Sequence, residues 1–169
     1  YTQFTDPQKT MYSWNRSFVS DQQKFLAGDL ATYIGFASEL AELRTKNPNL
    51  NFDVALLPQT SADGLKSTFG KVFALALVKG GSNPSGTISN LFSMTDQTSG
   101  GYVSSVLNLP PARRDLLAIR PSDPYKAIFA DSALVAKGWL DPQSSKTTVI
   151  FRELIESVTS GRLRMNQAI

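Results

Sequence analysis

Neither cysteine nor histidine occurs anywhere in the chain. Disulfide staples and thiolate zinc sites are therefore excluded, as is any nucleophile relay or general base built on imidazole. Charge is sparse, and the 17 basic and 14 acidic residues are interspersed without a block of one sign. A net charge of +3 spread in this way argues against a nucleic-acid or membrane surface as partner, and the Arg113-Arg114 pair reads as solvated. Long apolar runs are missing too. Nothing approaches the roughly 18 consecutive apolar residues that span a bilayer. No glycine-rich phosphate loop stands between a strand and a helix, which removes the usual nucleotide cradle. There is no internal repeat and no low-complexity tract. No signal peptide stands at the start, and the chain opens at Tyr1 without a methionine, so the expectation is that an upstream part has been removed.

What is present suits a soluble globular fold, because 41% apolar residues in a chain of 169 suffice for an ordinary core. Phe18, Phe25 and Leu26 mark a short amphipathic helix that Gly28 can end in the left-handed region. Residues 30–35 are apolar and β-favouring and predict a strand. Ser38 to Arg44 then read as a helix, with Leu40 and Leu43 on one side. In Phe52 to Leu57 apolar residues alternate with Asp53, which predicts a second, partly covered strand closed by Pro58. Residues 59–67 form a polar connector. The run Val72 to Val78, VFALALV, lacks alternation and predicts an interior strand covered on both faces. Gly80-Gly81 breaks it, and a helix follows with Ser82 or Asn83 as cap and Pro84 in its first turn. Helices dominate beyond Asp96: one through Tyr102 to Leu107 ending before Pro110, one opened by Pro124, and one from about Ser145 to Thr159 with Gly161 placed to cap its end. Between the last two, 138–142 reads as a loop. Residues 162–169 look like the start of one more helix.

The stretch from Phe25 to Pro58 also resembles a particular family. Phe25, Gly28, Asp29 and Ala31 match a pattern that precedes a strand in bacterial extracellular solute-binding proteins, the capture subunits of ABC importers, although Thr32 stands where methionine is usual. Phe52, Asp53, Val54, Leu57 and Pro58 match the family's next strand, and LPPARRDLL, from Leu109, is similar to its G-x-x-P-A-R segment. The resemblance covers nearly the whole chain but only the second half of a normal family member. It implies an α/β, periplasmic-binding-protein-like (type II) fold of two lobes, a mostly parallel sheet flanked by helices, that closes on a solute about a hinge. On that reading 1–67 is a second-lobe segment, 68–116 belongs to the first lobe after the hinge crossing, and 117–169 is a helical return to the second lobe. The implied function is capture of a small solute, a sugar or oligosaccharide by the family's commonest ligands, without transforming it and without a cofactor. The implied partners are the importer's membrane subunits and the missing N-terminal half of the same protein. The implied location is the periplasm or, for a lipoprotein, the cell surface.

Solute sites in α/β lobes sit beyond strand ends, where loops and helix starts converge. The candidates in this sequence are therefore Tyr33, Phe36 and Ser38 after the first run, and Gly70 and Lys71 before the long one. Trp139, Thr147 and Thr148 join them around the start of the last helix. Phe36 offers a ring face for stacking, or else packs in the core. Ser38 offers one hydrogen bond, or else caps the helix. Gly70 allows close backbone approach to a ligand or simply relieves a turn, and Lys71 suits an anionic or hydroxylated solute. Trp139 is a platform or a half-buried anchor. Two readings of other classes stay open. One is a protein-interaction or structural module reusing the fold. The other is a carbohydrate-active enzyme drawing on carboxylates such as Asp29, Asp53, Asp141, Glu153 and Glu156, for which surface charge is the simpler account.

Overall fold

Three helix starts in this chain are fixed by side chains that accept from the first free backbone amides. A computed structural model describes residues 2–15, 17–60 and 64–168. Its helices are α1 (Asp21–Leu26), α2 (Leu40–Lys46), α3 (Pro84–Met94), α4 (Gln97–Leu107), α5 (Arg114–Leu117), α6 (Pro124–Leu134) and α7 (Ser144–Thr159). Asn83 caps α3 by accepting from the Gly86 amide at 2.9 Å, with Pro84 at the first helical position where its missing N–H costs nothing. Asp96 caps α4 through Ser99 N at 2.7 Å, and Asp123 caps α6 through Lys126 N at 3.0 Å. The ends are equally local. Asn108 closes α4 in the left-handed region at φ 53°, while Gly28 and Gly161 end α1 and α7 with φ of 81° and 74°. The carbonyl of Leu26, left open at the end of α1, accepts from Asn47 Nδ2 at 2.8 Å.

The sheet is small. Strands β1 (Thr68–Phe69) and β2 (Ala136–Lys137) pair in parallel, Thr68 opposite Ala136 and Phe69 opposite Lys137. The described residues thus combine helices with one small parallel pair of strands, a mixed content consistent with the α/β class. The three longer strands expected at 30–35, 52–57 and 72–78 are corrected: all three are irregular, with no ladder. Their residue types favour β structure, but a strand exists only when a neighbour accepts and donates along its edge. Among the described residues no such neighbour lies beside them. Of the helix start expected at 162–169, the described residues 162–168 show only a 3-10 turn, Met165–Gln167, and 169 lies outside the described residues.

Burial is correspondingly thin. The buried apolar side chains among the described residues are Leu43, Ala127 and Ala130. Two of the three are alanines, which remove little apolar area from water. The chain exposes 13494 Å², whereas a folded monomer of 18.5 kDa exposes about 8,200 Å². Much of the excess is apolar side chain: Phe73 is 96% exposed and Val72 79%. No helix among the described residues is long and apolar enough to cross a membrane.

Contacts group the chain into two units, residues 25–138 and residues 1–24 with 139–169. In the first unit an aromatic chain ties the irregular runs to the helices. Phe25 stacks on Tyr33 at 5.4 Å and meets Phe52 edge-on at 5.6 Å, and Phe52 meets Tyr125 of α6 at 5.8 Å. The Tyr125 hydroxyl donates to the Phe52 carbonyl at 2.5 Å, and Arg44 of α2 lies 4.5 Å over the Tyr125 ring. In the second unit Ser157 of α7 is buried, donates to Glu153 O at 2.6 Å and accepts from Arg162. The turn after α7 is thereby pinned to the helix.

Candidate functional site

Three of the residues singled out from the sequence come together in the unit 25–138. Phe36 ends the first apolar run, just before the 3-10 turn Ala37–Glu39 that leads into α2. Its ring meets that of Phe69 in β1 edge-on at 6.1 Å, and the Lys71 ammonium lies 4.9 Å from its centroid. Gly70 stands between Phe69 and Lys71. Both residues are about half open, Phe36 at 41% and Phe69 at 52%. The geometry combines two apolar ring surfaces and one cation, the ingredients of stacking plus a single charge-assisted hydrogen bond.

Gly70 has a job in the scaffold as well. Its amide donates to Lys137 O at 3.1 Å, and a Cβ on Gly70 would fall 2.9 Å from the Ala136 Cβ. The absence of a side chain lets β1 approach β2, and this holds Phe69 and Lys71 on either side of the contact. Phe69 was not singled out in the sequence. The available signal was an aromatic residue directly before the Gly-Lys pair, but only the fold brings it to Phe36.

Tyr33 serves packing. It stacks on Phe25, and its hydroxyl donates to the Glu39 carboxylate. Gly35 sits inside this arrangement, where an added Cβ would come 2.6 Å from the Tyr33 ring. Ser38 is exposed in the 3-10 turn. Phe36 takes the cap position there without a side-chain bond, so the helix start is not capped by Ser38.

Trp139, Thr147 and Thr148 belong to the other unit. Trp139 is 62% exposed and meets Phe151 of α7 edge-on at 6.1 Å. Thr147 donates to Asp141 Oδ1 at 2.8 Å, and the same oxygen accepts from Gln143 N at 3.2 Å. These bonds fasten the loop 139–143 to the first turn of α7 and occupy the Thr147 hydroxyl. Thr148 is exposed one position on. An open hollow of about 340 Å³ beside Ser145, Lys146, Val149 and Ile150 lies on one stretch of α7 and gathers no converging polar groups.

Electrostatics near α4 are structural. Asp96 is held below the ordinary aspartate value, chiefly by the hydrogen bond from the Ser99 amide. The Arg113 fork, donating to both Asp115 oxygens at 2.8 to 3.3 Å, holds that carboxylate low and raises the guanidinium in turn. Arg113 also donates to Thr95 O, at the end of α3, at 3.0 Å. No cluster of acidic side chains suited to a metal ion occurs among the described residues. Compared with known proteins, the chain matches no protein-family model and no curated sequence.

Proposed function

We propose that this chain is part of an extracytoplasmic solute-binding protein of an ABC importer. In this reading it contributes segments of both lobes to a two-lobed, type II clamp that captures a sugar or oligosaccharide and releases it unchanged. The rest of the clamp is a further segment of the same protein, and the importer's membrane subunits receive the cargo. The ordered series of motifs from Phe25 to Ala112 supports the reading. The single observation that carries it is the meeting of Phe36 with Phe69 and Lys71, a pair distant from it in sequence, around half-open rings. Ring faces suit the apolar face of a pyranose, and an ammonium suits its hydroxyl or carboxylate oxygens. Binding energy directed at such a surface would favour the closed form over the open one.

The test is thermal unfolding of the full-length precursor across a panel of sugars, amino acids and polyamines. A sugar held at a hundredfold excess over its dissociation constant stabilises the folded form by about 2.7 kcal/mol. Phe36→Ala and Lys71→Ala should each remove most of that shift while leaving the unliganded melting temperature close to the parent's. If no member of the panel moves the transition, the capture reading fails. One observation favours a second reading, an interaction module: the exposed apolar run 72–78, whose residues a solute of this size would not cover.

A further inference from the structure

The segment 71–79 is an apolar run closed at both ends by lysine, KVFALALVK. It leaves β1 immediately after the Gly70–Lys137 hydrogen bond and continues without a ladder of its own. Val72, Phe73, Leu75, Leu77 and Val78 are all exposed, from 41% at Leu77 to 96% at Phe73. It contains neither proline nor glycine, and its residue types are those that stack as strands. We propose that this run is a strand-addition site, and that it accepts an extended segment of a separate protein carrying carboxylates at both ends of its own apolar stretch. This goes beyond solute capture and does not depend on it.

The charge pattern selects the occupant. Lys71 and Lys79 stand at i and i+8, an even spacing that puts both ammonium groups on one face of an extended strand, together with Phe73, Leu75 and Leu77. Residues directly opposite one another across a strand pair share a face and interact. A second copy of the same segment would set lysine against lysine at both ends, in parallel and antiparallel alignment alike. Flanking lysines of this kind guard an apolar strand against its own copies. A segment with aspartate or glutamate at i and i+8 instead places a carboxylate opposite each lysine in either direction. Among the described residues this chain offers no such segment in extended form. Its carboxylate pairs at that spacing are Asp21 with Asp29, on α1 and just after it, and Asp115 with Asp123 and Asp123 with Asp131, on α5, α6 and the turn between them. Backbone hydrogen bonds would then supply affinity, and the paired end charges specificity.

The test uses the full chain and two labelled peptides of alternating valine and threonine. They are matched in length to 71–79, one ended by glutamates and one by lysines. Fluorescence anisotropy should show the glutamate-ended peptide binding at low salt, about tenfold more weakly at high salt, and the lysine-ended one not at all. Amide exchange at residues 72–78 should slow on binding, which separates strand pairing from side-chain adhesion. Lys79→Glu, a change remote from the candidate solute site, should shift preference to a peptide with one end of each charge. Equal binding of both peptides, binding of neither, or unchanged exchange at 72–78 would overturn the proposal. So would sedimentation of the unliganded chain as a dimer lost on Lys79→Glu.

Discussion

Gly70 shows how a residue without a side chain can set the geometry of its neighbours. The 2.9 Å separation between its missing Cβ and that of Ala136 leaves no room for alanine unless the backbone moves. Neither atom is the far end of a flexible side chain, so strand separation is the response. Gly70→Ala is expected to part β1 from β2, speed amide exchange at residue 70, and weaken folding by about 1–3 kcal/mol in urea titrations. Ala136→Gly in the same chain should restore both readings. Gly70 was legible in the sequence as a special position, but not the reason for it. A close approach between segments so far apart is a property of the paired backbone. Phe36 and Lys71 were legible as chemistry, whereas their contact appears only in the fold, where Phe36 meets Phe69 of β1 and Lys71 beside it. Thr147 went the other way: a free hydroxyl in the sequence is, in the fold, a donor to Asp141.

At the scale of elements, the helices were readable because their signals are local. Asn83, Asp96 and Asp123 each carry an acceptor within one turn of the helix they open, and Pro84 and Pro124 add a fixed φ to two of them. Asp96 gives this a pH dependence. Its folded pKa lies below the unfolded value, so its contribution is present above the ordinary aspartate range and is lost as pH falls through the lowered folded value. In an NMR titration the Ser99 amide and the Asp96 carboxyl should move together, with a midpoint below that of an unstructured aspartate. A midpoint at the unstructured value would remove Asp96 as the working cap of α4. The runs 30–35, 52–57 and 72–78 were misread as strands for the converse reason. Alternation and β-branching report a preference, while a ladder needs a second backbone that no local pattern can specify.

The whole molecule is under-covered rather than under-hydrophobic. Phe73, Val72 and Val78 are more than three-quarters exposed, and Leu140, on the loop before α7, is 87% exposed. Native chain should therefore raise the fluorescence of an apolar dye, and the glutamate-ended strand peptide should lower it again by covering 72–78. A dye signal absent at neutral pH would show that these side chains are already covered in solution. Composition, the presence of the longer helices, the Pro84 and Pro124 helix starts and the exclusion of thiol and imidazole chemistry followed from the sequence by itself. Each depends on residue identity or on interactions within a single turn of chain. The parallel pairing of β1 with β2, the meeting of Phe36 with Phe69 and Lys71, and the openness of 72–78 were decided only by tertiary structure. They depend on which distant segment arrives alongside, and hydrogen-bonding edges and apolar faces are too alike from run to run to name that neighbour in advance.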